Sequence, residues 1–68
     1  MEYLKQENEA LRRELTDLLE LTIETNNFLR MVHDDLKKWG IEEYAEYVGF
    51  LVETSNYKIL KLKSLINE

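Results

Sequence analysis

Few side chains in this sequence could perform covalent chemistry. There is one histidine, His33, and no cysteine. Thiolate nucleophiles, disulfides and cysteine-bearing metal sites are therefore ruled out. His33 has Arg30 and Asp34 close by, but no Glu-x-x-His or His-x-x-x-His spacing surrounds it. A metal site needs several ligands that converge. His33 is instead expected to pack, partly buried, against a neighbouring helix. Glu42, Glu43 and Glu46 form an acidic group. Carboxylate-bridged metal centres in helical bundles pair such residues with inward Glu-x-x-His motifs, and none occurs. These carboxylates read as helix-start charge and a solvated face. The two glycines, Gly40 and Gly49, are isolated, so no phosphate-cradling loop is present. The expectation is a protein that is not an enzyme and has no cofactor and no metal centre.

The elements that would position these residues follow from periodicity. Leu4, Leu11 and Leu18 recur every seven residues, and Thr25, Val32 and Trp39 continue the series. Met1, Asn8, Leu15, Thr22, Leu29 and Leu36 form its companion. These are the d and a positions of one heptad frame from residue 1 to 39. A seam of that length predicts a left-handed coiled coil. The helix should stop at Lys37-Lys38-Trp39-Gly40. Basic residues suit the negative end of the helix dipole, and Gly40 suits the left-handed residue that closes a helix. Glu42 and Glu43 then fit the first turn of a second helix. Its apolar face comprises Ile41, Tyr44, Ala45, Val48, Leu51 and Val52, then Ile59, Leu62 and Ile66, with Ser55 at its middle.

The predicted architecture is all-α: an antiparallel helical hairpin forming one domain over 1–68. Helix 1 spans about 2–38, the turn 39–41 and helix 2 about 42–66. With a short connection, residue 40 − n lies level with residue 40 + n. Residues 1–12 then protrude as a stalk from a bundle over 13–68. The flanks of the seam change accordingly. Lys5, Glu7, Arg12 and Glu14 flank the first heptads, as in a narrow two-stranded coil; from Leu19, Leu21 and Phe28 the apolar face widens. We therefore expect a parallel N-terminal coiled coil that opens into a four-helix bundle made from two hairpins. Leu4, Asn8, Leu11, Leu15, Leu18, Leu29, Val32 and Leu36 form its expected interface. Asn8, alone at an a position among leucines, favours a parallel, in-register pair. A tetramer with antiparallel stalks is the competing assembly.

Two segments repeat a polar phrase, IETNNF at 23–28 and VETSNY at 52–57. The hairpin places them level, so Thr22, Thr25, Asn26 and Ser55 are expected to form a polar layer inside the bundle. Buried polar groups are costly unless hydrogen-bonded. The expected role is register, with side chains bonding across helices or to their own carbonyls. A small ligand-holding site is the alternative. Gly49 sits mid-helix, where glycine costs about 0.5–1 kcal/mol against alanine. Close approach by another backbone or a bulky side chain explains it, with a local bend as the alternative.

Composition sets the class of partner. The net charge of −5 argues against general attraction to nucleic acid or an anionic membrane. That charge lies within residues 20–54, while the rest is balanced, so a basic partner surface fits the turn end best. No apolar run approaches the ~18 residues of a membrane span, and MEYLKQENE is no signal peptide. An intracellular, cytoplasmic protein is expected. The initiating Met favours a complete gene product over a segment of a larger structural protein. On helix 2, Phe50 and Tyr57 fall opposite the core face and Tyr47 at its boundary. Exposed aromatics are typical interface anchors. The first functional expectation is therefore a homo-oligomeric adaptor or small regulator that binds another protein. Arg12, Arg13, Lys58, Lys61 and Lys63 also gather at the open end of the hairpin, interleaved with acids. This layout resembles the Rop-type RNA-binding bundle, a short helical hairpin that dimerises, which implies a small RNA- or DNA-binding hairpin as the second.

Overall fold

The computed structural model describes residues 2–67, with side chains from Gln6 onward. Two helices account for nearly all of it: α1 (Glu2–Lys38) and α2 (Glu42–Ile66). They fold back on each other as an antiparallel hairpin with extents of 58 × 14 × 13 Å. At about 1.5 Å per residue, α1 alone spans ~55 Å and α2 ~37 Å. By that difference α1 runs past the end of α2. Every side chain from Gln6 to Glu14 is exposed, and burial begins at Leu15. The side chain of Leu4 lies outside the described residues, as does Met1.

The turn is built by hydrogen bonds that the sequence specifies. Gly40 adopts φ +78°, the left-handed conformation. Its N–H donates to the Lys37 carbonyl at 3.1 Å, and the Ile41 N–H donates to the Leu36 carbonyl at 2.9 Å. These two bonds are the Schellman closure and satisfy carbonyls that a helix end otherwise leaves open. Nothing lies within 4 Å of where a Cβ would stand on Gly40. The glycine is thus required by backbone conformation, not by space. Ile41 also precedes α2, but no side chain caps that helix start. Glu42 and Glu43 place negative charge in its first turn instead.

Between the helices the packing is thin. Ala45, 3% exposed, is the one fully buried hydrophobic residue among those described, and no large side chain is completely enclosed. Two cylinders meet along a line, so each helix covers only a strip of the other. On α1 that strip runs through a and e positions: Leu15 and Leu19, then Thr22 and Asn26, then Leu29 and His33, then Leu36. On α2 it follows the expected apolar face through Val48, Val52, Ser55, Ile59 and Leu62. Tyr44, assigned to that face by periodicity, is exposed, because the rotation of α2 turns the adjacent Ala45 toward α1 instead. The accessible surface is 5920 Å², against about 4,500 Å² for a compact monomer of this mass.

Candidate functional site

Three features lie along the line where the helices meet. The first is a polar pair at its centre. Asn26, 4% exposed, aims its amide across the interface. Nδ2 donates to Ser55 Oγ at 2.6 Å and to Asn56 Oδ1 at 2.9 Å, with the Val52 carbonyl at 3.4 Å. An amide nitrogen carries two protons, so the two shorter bonds use both. Ser55 Oγ passes its own proton back to the Val52 carbonyl at 2.9 Å. No fully buried side-chain polar atom is left without a partner among the described residues.

The two polar phrases therefore meet at Asn26 and Ser55, which occupy the same place in each. Thr25 and its counterpart Thr54 instead bond back to their own helices, at Leu21 O and Phe50 O. Thr22 does likewise at Leu18 O. Of the four residues expected in the layer, Asn26 and Ser55 are brought together and buried. Thr22 is half-buried, Thr25 is exposed, and both are satisfied locally. Asn56 completes the pair and was not anticipated. Its signal was present: it follows Ser55 directly and is the asparagine common to both phrases. The Asn26 amide has its protons committed, and no ionisable group bonds it, so the pair is suited to fixing register and offers no reactive atom.

The second feature is a charged groove on one side. Arg30, His33, Asp34 and Lys37 line it from α1, and Glu42, Glu46, Phe50 and Glu53 from α2. At its floor the His33 ring lies against Gly49. A Cβ added there would stand 3.3 Å from His33 Nε2. The mid-helix glycine and the lone histidine thus explain each other: the ring occupies the space a side chain would take. His33 Nδ1 also lies 3.8 Å from the Asp34 carboxylate. Among the described residues, no three His, Cys, Asp or Glu come together so as to hold a metal ion.

The third feature is an apolar groove on the opposite side. Leu18, Leu62 and Leu65 line its open end, and Leu21, Leu29 and Leu51 its middle. Lys58 and Lys61 are the charged residues along it. Thr22, Thr25 and Thr54 also face it, with their hydroxyl protons already committed to their own helices.

The expected interface residues divide between these surroundings. Leu15, Leu29, Val32 and Leu36 are half-buried within the single hairpin, whereas Asn8, Leu11 and Leu18 are exposed. Phe28, expected on a widened inner face, is 60% exposed in the single chain. Tyr47, Phe50 and Tyr57, the candidate partner surface, are all about two-thirds exposed. No helix is long and apolar enough to cross a membrane among the described residues. No protein-family model, curated protein or solved structure matches the chain.

Proposed function

We propose that this chain is a non-enzymatic, self-associating helical hairpin that acts as an adaptor or small regulator through protein–protein contact. The assembly we favour is a parallel homodimer, its N-terminal segments paired as a two-stranded coil and its hairpins joined as a four-helix bundle. One observation carries the reading. A hairpin with Ala45 as the one buried hydrophobic residue among those described leaves Leu11, Leu18, Leu21 and Phe28 in water. Ordering such a chain costs roughly 1–2 kcal/mol per residue in backbone entropy, which so thin an interior cannot offset. Further burial must come from another chain.

Sedimentation equilibrium with circular dichroism across a dilution series tests this. The expected result is a dimer whose helicity falls on dilution. A monomer that stays fully helical at sub-micromolar concentration would refute it. A Leu11→Cys variant separates the assemblies: it cross-links within a parallel dimer, but not in a tetramer with antiparallel stalks. For the adaptor role, Phe50→Ala with Tyr57→Ala should leave mass and helicity unchanged and abolish partner binding. The nucleic-acid reading draws on Lys58 and Lys61 beside the groove. It predicts binding that weakens steeply with salt, and no binding at low salt removes it.

A further inference from the structure

We propose that the second copy seats on the apolar side of the hairpin, the side of Leu18, Leu21, Thr25, Phe28, Leu51 and Leu65, and leaves the charged groove open. This rests on the self-association proposed above and specifies its geometry.

The heptad frame gives the first argument. In a two-stranded coil the partner takes both a and d positions. Within the hairpin, α2 has already claimed part of that seam. It contacts α1 at the e positions Asn26 and His33 and half-covers the a positions Leu15, Thr22, Leu29 and Leu36. Left in water are Leu11, Leu18 and Thr25 at d, and Leu21 and Phe28 at g. The surface offered to a partner therefore rotates along α1, from a/d in the protruding segment to d/g beside α2. The d stripe is common to both stretches as far as Thr25, so one partner helix can follow it from the protruding segment into the bundle; Val32, the next d residue, is already half-covered by α2.

Charge gives the second argument. Covering the opposite groove would take Arg30, His33, Lys37, Glu42, Glu46 and Glu53 out of water. Desolvating that many ionisable groups is expensive unless each finds a partner. The apolar groove contains no carboxylate, and its charges are Lys58 and Lys61. Lysine stems can lie along apolar surface with the ammonium kept in solvent.

Area and availability give the third. The chain exposes about 1,400 Å² more than a compact monomer of its mass would, and a standard interface needs ~800 Å² per partner. An occupant required for folding must be present wherever the chain is made, and a second copy always is. In a parallel pair the heights also match. By the register of the hairpin, Phe28 lies within about one turn of the height of Leu51, and Leu21 within about one turn of Lys58. The partner's Leu51 and the apolar stem of the partner's Lys58 would then cover these two g residues.

Because the chain has no cysteine, single-cysteine variants report directly on burial. Thr25 and Asn27 are both exposed in the single hairpin and stand about 200° apart around α1. Thr25→Cys and Asn27→Cys are treated with a maleimide at a concentration where sedimentation shows the oligomer. Thr25→Cys should react at least ~10-fold more slowly, as burial in a cooperative interface predicts. Equal rates, or protection of Asn27→Cys instead, would overturn the assignment of sides and leave self-association standing. A parent chain that sediments as a monomer overturns self-association and the face with it. A second pair reads affinity. Leu21→Asp with Phe28→Asp should weaken association by about 100-fold or more, since a short carboxylate cannot reach solvent as a lysine does and would be buried unpaired. Asn27→Asp with Leu60→Asp, both exposed and, at about 100° per residue, turned to the charged side, should change it by less than about threefold. Equal losses from both pairs would overturn the proposal.

Discussion

The two sides of the hairpin flank the same central contact and could hardly differ more. One side joins Arg30, His33 and Lys37 to Glu42, Glu46 and Glu53; the other is walled by leucines and threonines. Each helix carries an apolar stripe wider than a two-helix contact can cover. Much of the surplus falls on one side because α2 meets α1 mainly at a and e, which leaves Leu18 and Thr25 at d and Leu21 and Phe28 at g exposed, while Val32 at d is half-covered near the turn. On the charged side Phe50 stands exposed among the ionisable groups, and His33 fills the gap beside Gly49. The difference teaches that a hairpin can be finished along one edge and unfinished along the other.

The largest effect should come from putting charge on the unfinished side. Leu18→Asp is expected to cost more than ~2 kcal/mol in thermal or chemical unfolding, because its carboxylate would be buried on assembly. Glu53→Lys on the other side should stay within about 0.5 kcal/mol. Similar costs would erase the contrast between the sides. The polar pair between them comes next. Asn26→Ala should cost about 1–3 kcal/mol by removing the donor to Ser55 and Asn56. Asn26→Leu with Ser55→Ala should be neutral or stabilising, but less specific in oligomer size by sedimentation. A silent Asn26→Ala would mean that the pair does not hold the two sides in register.

A smaller effect tests the floor of the charged groove. Gly49→Ala should gain little, because its helix-propensity benefit of about 1 kcal/mol is opposed by the His33 ring. In a His33→Ala background the same change should recover most of that benefit. A coupling near zero in the double-mutant cycle would show that the ring is free to move aside. The smallest effect lies at the turn, away from both sides. Ile41→Ser should raise stability by about 0.5–1 kcal/mol, since α2 starts without a side-chain cap. An unchanged melting temperature would point to compensation by lost apolar contact of Ile41.

The sequence specified the elements more fully than their faces. Heptad spacing, Lys37-Lys38, Gly40 and Glu42-Glu43 are local signals, and the hairpin they predict is the one observed, with the turn at the same residues. Level pairing also followed from rise per residue alone, and it brought Asn26 to Ser55. What spacing does not set is the rotation of α2 about its own axis. That angle decides that Asn56 completes the polar pair, that Tyr44 points to solvent, and that Gly49 lies under His33. A glycine that needed a bulky neighbour and a histidine that needed a helix to pack on were each recognisable alone. Their meeting depended on tertiary geometry.

The near-absence of enclosed hydrophobic residues among those described has a consequence for the cell. On the proposed assembly, the folded fraction is set by the number of copies present, because mass action ties folding to pairing. Below a threshold abundance the chain would be largely open and exposed to proteases, and above it folded and long-lived. A regulator built this way would not need a ligand to sense its own dosage. Its thin interior would make synthesis rate the input and survival the output.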